Sequence, residues 1–275
     1  MKTTARIWIF IGLLLQANFL AADIYRQQDS QGYISFSDKP STNATLVQPA
    51  VSTYRYKHLV AKVYDGDTIT LKNGERVRLL GINTPEIESR YRQGEAGGQT
   101  AKKWLQEKLG SGEVFLEFDV QQHDKYKRLL AHLFLANGEH LNKEIVAAGL
   151  ATLSIVPPNL NYADELKQAE LYAQKQGAGI WSMASYQAIS VEYLPTKIAG
   201  WQRFAATPKE IKRNRKYVRL ILNDKVDVRI AVANLALFPD LNVYLSKRLE
   251  IRGWAAKNKG HYSILVRHPS AIIFL

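Results

Sequence analysis

Hydrophobic and polar positions alternate along most of this chain and switch to a helical period in a few places. His58–Tyr64, Thr68–Leu71 and Arg76–Ile82 read as strands, with Lys72-Asn73-Gly74-Glu75 as a tight turn. Thr100–Leu109 has helical spacing and ends at Gly110. Glu113–Val120 and Leu129–Leu135 return to strand, followed by an Ala136-Asn137-Gly138-Glu139 loop. Leu141–Ala148 reads as a short helix stopped by Gly149, and Tyr162–Gln176 as a longer one with Asn161 as N-cap and Gly177 as stop. Five strands, with helices inserted after the third and appended at the end, predict a small β-barrel of the OB type.

Beyond this region come "AGWQRFAA", "KYVRLILN", "VDVRIAV", "RLEIRGWA" and "YSILVRH", with a short helical piece around Ala233–Leu237. They predict a second, OB-like barrel over residues 188–275, so the fold class is mainly β with α (α+β). At the other end, "DIYRQQDSQGYISFSDKP" alternates about an Asp29-Ser30-Gln31-Gly32 turn and predicts a hairpin module over residues 23–45. Its "Y…D…G…FSD" pattern resembles a small N-terminal module of many proteobacterial envelope proteins. Residues 46–57 lie in a stretch rich in Ser, Thr, Asn and Pro and read as a linker.

Composition narrows the chemistry. The 275 residues are 46% hydrophobic, enough for one large core or two small ones, and contain no cysteine. Disulfides, thiolate metal sites, a cysteine nucleophile and a lipid-modified cysteine are thereby excluded. Lys2 and Arg6, the apolar run Ile7–Leu15 and Leu20-Ala21-Ala22 before Asp23 read as a signal peptide over residues 1–22. That run is too short to span a bilayer comfortably and no later segment qualifies, so a periplasmic or secreted protein is expected. Net charge is +12, unevenly spread: His58–Ser182 carries −1, whereas Met183–Leu275 holds 16 basic and 6 acidic residues, +10. Such asymmetry points to a polyanion as partner of the C-terminal third.

Candidate chemistry lies in three motifs. "VYDGDTITL" sets Asp65 and Asp67 around Gly66 inside a strand-like run, either as a hairpin turn or with one carboxylate facing a cation. "RVRLLGINTPEIE" brings Arg78, Asn83, Thr84 and Glu86 to the point where a strand gives way to a loop. "HDKYKRLLAHLF" sets Arg128 at a strand start, after Asp124, Lys125 and Tyr126. Each alone has an ordinary reading as turn, surface charge or hairpin tip.

Together and in this order they resemble the staphylococcal nuclease-like (thermonuclease) family, from about His58 to Ser182. The similarity runs through "DGDT", "RLLGINTPE", "DKYKR", "VAAGLA" and "GIWS". The resemblance implies an OB barrel that cleaves DNA and RNA phosphodiesters with Ca2+. It carries a calcium-ligand aspartate onto Asp67 and a carbonyl ligand onto Thr84. It carries the catalytic glutamate onto Glu86, and the two phosphate-gripping arginines onto Arg78 and Arg128. Asn83 falls where the family usually has a second ligand aspartate; its amide oxygen can ligate calcium but brings no charge. Asp65 is expected to support the turn or an outer shell. Lys125 and Tyr126 are further candidates for substrate contact.

The chemistry needs these residue types. An in-line water must attack while charge builds on the phosphoryl oxygens. A hard cation on oxygen ligands can polarise the phosphate, a glutamate can take the proton, and two guanidinium forks match phosphoryl geometry. Two further departures stand out. Lys127 replaces a glycine usual before the second arginine, which puts the turn geometry there in question. Leu153–Tyr162 lacks the tyrosine pair that lines a base pocket in the best-known member, so base contacts do not transfer.

In the basic third, "KEIKRNRKYVRL" packs Lys212, Arg213, Arg215 and Lys216 beside Tyr217. These residues are the candidate contacts to DNA or RNA, with Trp201, Phe204, Trp254 and Tyr262 divided between core filling and base stacking. The function expected is an exported calcium-dependent endonuclease, acting as a monomer without a protein partner. A catalytically weak or dead nuclease fold used as a nucleic-acid-binding envelope protein is the rival, favoured by Asn83.

Overall fold

The computed structural model describes residues 24–28, 34–37, 45–47, 54–90, 93–195, 198 and 200–275. The predicted signal peptide and the Asp29–Gly32 turn lie outside them. The chain divides into Met1–Ser52 and Thr53–Leu275. In the first unit β1 (Ile24–Gln28) pairs antiparallel with β2 (Ile34–Ser37), as a hairpin requires. It also pairs with β3 (Thr45–Val47), which occupies the start of the expected linker.

In the second unit, β4 (Tyr56–Val63), β5 (Thr68–Leu71), β6 (Arg76–Leu79), β8 (Glu113–His123) and β9 (Leu129–Phe134) close a barrel in the order β4-β5-β6-β9-β8. Alternate strand positions fill it: Ile69, Leu71, Val77, Leu79, Val114, Leu116, Ala131 and Leu133 are buried. Burying each large aliphatic among them is worth roughly 1.5–3 kcal/mol. Helices α1 (Gly98–Lys108), α2 (Leu141–Ala147) and α3 (Ala163–Lys175) pack on this core through Leu105, Ile145 and Leu166. This is the α+β OB barrel expected.

Local departures from the sequence reading have physical causes. The single strand expected over Arg76–Ile82 breaks at Gly81, whose φ of +76° suits glycine. Its second half, β7 (Gly81–Asn83), leaves the barrel to pair with β10 (Thr152–Ser154), in register Asn83↔Thr152. Asn142, fully buried, pins this corner: its Nδ2 donates to the Leu80 carbonyl (2.9 Å) and its Oδ1 accepts from the Leu133 N–H (2.9 Å). Helix α3 is capped by Tyr162 in the left-handed region, not by Asn161, whose backbone N–H donates to Asp119 Oδ2 at 2.9 Å.

The C-terminal residues form two sheets around a second core that includes Phe204, Leu220, Val228, Ile251 and Ile264. One joins β11 (Ile189–Ser190), β12 (Gln202–Ala206), β16 (Leu249–Gly253) and β19 (Ile272–Phe274). The other orders β13 (Glu210–Arg213), β14 (Tyr217–Asn223), β15 (Val226–Ala231), β18 (His261–Val266) and β17 (Ala255–Asn258) as β13-β14-β15-β18-β17. Part of the basic segment, Glu210–Arg213, is thus strand β13. Of the aromatics left open between core and stacking, Trp201, Phe204 and Tyr262 are buried and Trp254 is exposed.

Candidate functional site

Asp65-Gly66-Asp67 turns the chain from β4 into β5. Asp65 Oδ1 accepts the Asp67 backbone N–H at 3.0 Å, while the N–H of Tyr64 donates to the Thr68 carbonyl at 2.9 Å. Asp65 therefore holds the turn. Burial, with the Asp67 charge adding to it, pushes the Asp65 carboxyl up to about 7. Gly66 is needed for close approach: a Cβ there would lie 2.6 Å from Ala101 Cβ and 2.8 Å from Thr84 Cγ2.

Asp67 is buried and turned toward the β7 end. Its Oδ1 accepts from Thr68 Oγ1 (3.0 Å), and its Oδ2 accepts the Thr84 backbone N–H (2.8 Å). Arg78 Nη2 lies 3.1 Å from the same Oδ2. That guanidinium also donates from Nη1 to the Leu79 carbonyl (2.7 Å) and from Nη2 to Asn83 Oδ1 (3.3 Å). Asn83 Nδ2 donates to the Thr84 carbonyl (3.2 Å). Asp67, Arg78, Asn83 and Thr84 thus form one hydrogen-bonded cluster, drawn from the turn before β5, from β6 and from the end of β7.

Glu86 follows on the loop after Thr84. Its backbone N–H donates to Glu95 Oε2 at 3.1 Å, and its carbonyl accepts the Glu95 N–H at 2.8 Å. The start of α1 presses on this loop closely enough that a Cβ on Gly98 would sit 2.5 Å from the Glu86 carbonyl oxygen. Arg128 enters from the β8–β9 loop, where Asp124 organises it. Asp124 Oδ1 accepts the backbone N–H groups of Tyr126 (2.8 Å) and Arg128 (3.0 Å), and Oδ2 accepts Arg128 Nε (2.7 Å). Burial pushes the Asp124 carboxyl upward, but these Arg128 and Tyr126 donors outweigh it and hold the group below its usual range. Lys127 adopts φ +63°, the region a glycine enters most cheaply. The turn keeps a glycine-like backbone despite the lysine.

Arg78, Lys125 and Arg128 line one open cleft of about 360 Å³, together with Asp124, Ser154, Val156 and Asn159. Tyr126 projects into solvent beside it, its ring 4.9 Å from Lys125 Nζ and 5.6 Å from Arg128 Cζ. Lys212, Arg213, Arg215 and Lys216 are exposed on β13 and the turn after it and are not among the residues lining that cleft. Sequence reasoning missed the anchors Glu95 and Asn142 and did not give Asp124 its positioning role. The four-residue Asp124–Arg128 spacing was the available signal; Glu95 and Asn142 had none.

Residues 76–183 match the staphylococcal nuclease homologue family. The thermonuclease of Staphylococcus intermedius is 39% identical over 127 residues, covering 45% of this chain and 75% of that protein. The thermonuclease of Staphylococcus hyicus is 34% identical over 146 residues, covering 52% and 83%. The chain belongs to the staphylococcal nuclease family. A further relative, endonuclease YncB of Bacillus subtilis, is 35% identical over 130 residues, covering 46% of this chain and 61% of that protein. With its family, the chain is a hydrolase of the nuclease type, and the barrel, helices and motif order agree with that placement. The family match ends at residue 183, so the basic C-terminal sheets lie outside it.

The oxygens of Asp67, Asn83 and Thr84 make an all-oxygen donor set, which suits a hard divalent cation. Among the described residues no three His, Asp or Glu cluster closely enough to hold a metal alone. The formal charge at such a site comes from Asp67.

Proposed function

We propose that the chain is an exported, calcium-dependent endonuclease that hydrolyses phosphodiester bonds of DNA, RNA or both. The observation that carries this reading is the convergence of Arg78 and Arg128 on one cleft, with Arg78 bonded into the Asp67–Asn83–Thr84 oxygen cluster. Two guanidinium forks on one cleft suit a phosphoryl group. Their aim is fixed before substrate arrives, Arg78 by the Leu79 carbonyl and Asn83, Arg128 by Asp124. In this reading Asp67, Asn83 and Thr84 hold the cation, which when bound supplies Lewis-acid polarisation of a phosphoryl oxygen. Glu86, anchored through its backbone to Glu95, takes the proton of the attacking water. Lys125 and Tyr126 contact the flanking strand, and the basic residues Lys212, Arg213, Arg215 and Lys216 add affinity for nucleic acid. The charge and apolar pattern of Met1–Ala22 supports export; no helix among the described residues is long and apolar enough to cross a membrane.

The second reading is a binding protein with a weak or dead site. It is favoured by Asn83, which brings no charge and spends its amide N–H on the Thr84 carbonyl. One assay separates the two: purified protein with DNA and RNA, in calcium and in chelator, beside Glu86→Gln. The enzyme reading expects calcium-dependent cleavage that falls roughly 10²-fold or more in Glu86→Gln. Equal turnover by the two proteins removes Glu86 from the mechanism, and binding without cleavage establishes the second reading.

A further inference from the structure

The basic third carries a feature that the charges of Arg213, Arg215 and Lys216 do not explain. Lys212, Arg219 and Arg229 stand directly opposite one another on the neighbouring strands β13, β14 and β15, and Arg229 stands opposite Leu265 on β18. Opposed residues share a face, and this is the face away from the core, since Val218, Leu220, Val228 and Ile230 point inward. Like charges directly opposite across strands are destabilising. Three in a row, spaced by about 5 Å per strand, need either compensation or a ligand.

Compensation is partial. Arg219 Nη1 is paired at 2.6 Å with Asp227 Oδ2, and buried Asp227 also takes His261 Nε2 at 3.0 Å and the Ser263 hydroxyl. Lys212 meets Glu210 at 3.2 Å with both side chains exposed, an ion pair worth little in water. Arg229 makes no ion pair among the described residues; its Nε is buried without a hydrogen-bond partner, and its guanidinium lies 5.4 Å from the Tyr217 ring centroid. The row is a prepared cationic surface.

It also has a connection to the cleft. Ser154 lines the Arg78–Arg128 cleft and also lines a groove with Trp254, Leu265 and Arg267. Leu265 is the next position in the cationic row, Arg267 lies two residues further on the same strand line, and Trp254 is 41% exposed. Ser154 is thus common to cleft and groove.

We propose that a single-stranded nucleic acid occupying the Arg78–Arg128 cleft continues over Ser154, past Trp254 and Arg267, and across the outer face of the five-stranded sheet along Arg229, Arg219 and Lys212. Charge complementarity selects a polyanion, and an exposed indole beside guanidinium groups suits unpaired bases. The proposal rests on the nuclease reading only for the cleft end of the path. It moves the main binding surface from Arg213 at the end of β13 and the turn residues Arg215 and Lys216 to the sheet face.

The test uses the full chain carrying Glu86→Gln, with labelled oligothymidylates of four and thirty nucleotides titrated at several salt concentrations. The Arg229→Gln/Arg267→Gln variant is expected to bind the long strand about tenfold more weakly, and its log–log salt slope should be shallower by about 1.4, or 0.7 for each phosphate no longer neutralised. Because Arg229 is partly buried, the exposed Arg267→Gln change alone must move the slope in the same direction by about 0.7. Unchanged long-strand affinity and slope in both variants overturn the path. So does loss of binding confined to Arg213→Ala/Arg215→Ala/Lys216→Ala. Hydrolysis by the chain with Glu86 intact separates the two claims. Row-dependent binding without cleavage removes the nuclease reading and keeps the path. Cleavage of the long strand with the same KM in parent and Arg229→Gln/Arg267→Gln keeps the nuclease and removes the path.

Discussion

Glu170 on α3 and Arg252 on β16 form an ion pair in which both side chains are buried. The pair ties the helix that closes the nuclease barrel to the basic C-terminal sheets. Glu170 Oε1 accepts the Leu153 N–H at 2.8 Å, Arg252 Nε donates to Glu250 at 2.6 Å, and Arg203 grips the same Glu250 with Nε and Nη2. Both guanidinium groups lie over the Trp181 ring, at 5.3 and 5.4 Å from its centroid. The tryptophan of the "GIWS" motif is thus a junction residue.

Removing one partner of a buried pair leaves an uncompensated charge, which costs about 3–5 kcal/mol. Arg252→Ala is expected to lower stability by that amount in urea denaturation. The apolar replacement Glu170→Leu/Arg252→Met should recover most of it, because two groups no longer need desolvation. A loss below about 1 kcal/mol in Arg252→Ala, the range of an exposed pair, would show that the network is solvated.

Asn83→Asp is expected to strengthen calcium binding. Two unit charges about 4 Å apart attract by ~4 kcal/mol at an effective dielectric near 20, and a divalent ion doubles that to an upper bound of ~8 kcal/mol before relaxation. The same change replaces the N–H that Asn83 donates to the Thr84 carbonyl with an oxygen facing an oxygen. The metal-free variant should therefore melt no higher than the parent, while added calcium raises its Tm at lower concentration. Coincident calcium titrations, in Tm and in cleavage, would remove residue 83 from the ligand set.

Lys127 holds a left-handed φ of +63° in the turn that aims Arg128. For an L-residue that conformation costs roughly 1–2 kcal/mol, and glycine returns about half of it as unfolded-state entropy. Lys127→Gly should raise stability by up to about 1 kcal/mol, and Lys127→Val should lower it by more. Equal midpoints for all three proteins in urea would mean that the turn does not hold this backbone.

What the sequence makes legible is what lies close along the chain. Asp65 to Asp67, Arg78 to Glu86 and Asp124 to Arg128 each bring chemistry within a few residues, so pattern and turn signals reach them. Pairings set by distant segments are hidden. β7 leaves the barrel because β10, some seventy residues on, offers it an edge; three-residue strands carry too little alternation to announce that. β13 goes unnoticed before the "KYVRLILN" run because its charges mask a pairing with Ile221, Leu220, Arg219 and Val218. Glu170 and Arg252 are 82 residues apart, and neither has a local partner pattern.

Acid should weaken the fold through a buried histidine pair. His132 and His140 face each other on the outer side of β9, Nδ1 to Nε2 at 3.1 Å, packed against Tyr162 and Phe134. Burial drives both histidines down to about 3, with the charges of His132, Lys143 and Arg55 adding to the effect at His140. An unfolded histidine titrates near 6.5, so between about 6.5 and 3 the unfolded chain binds protons that the native pair refuses. Stability should then be full above pH 6.5 and fall as pH drops, by up to about 1.4 kcal/mol per pH unit for each histidine. Asp65 opposes this trend. Its carboxyl, raised to about 7, favours the native state at low pH and loses that advantage as pH rises toward 7. Urea midpoints in chelator between pH 7 and 5 isolate the pair when the parent is compared with His132→Phe/His140→Phe, which keeps Asp65 and removes both imidazoles. The parent should lose more stability across that window than the variant, and parallel pH profiles would mean that the two rings protonate freely in the native state.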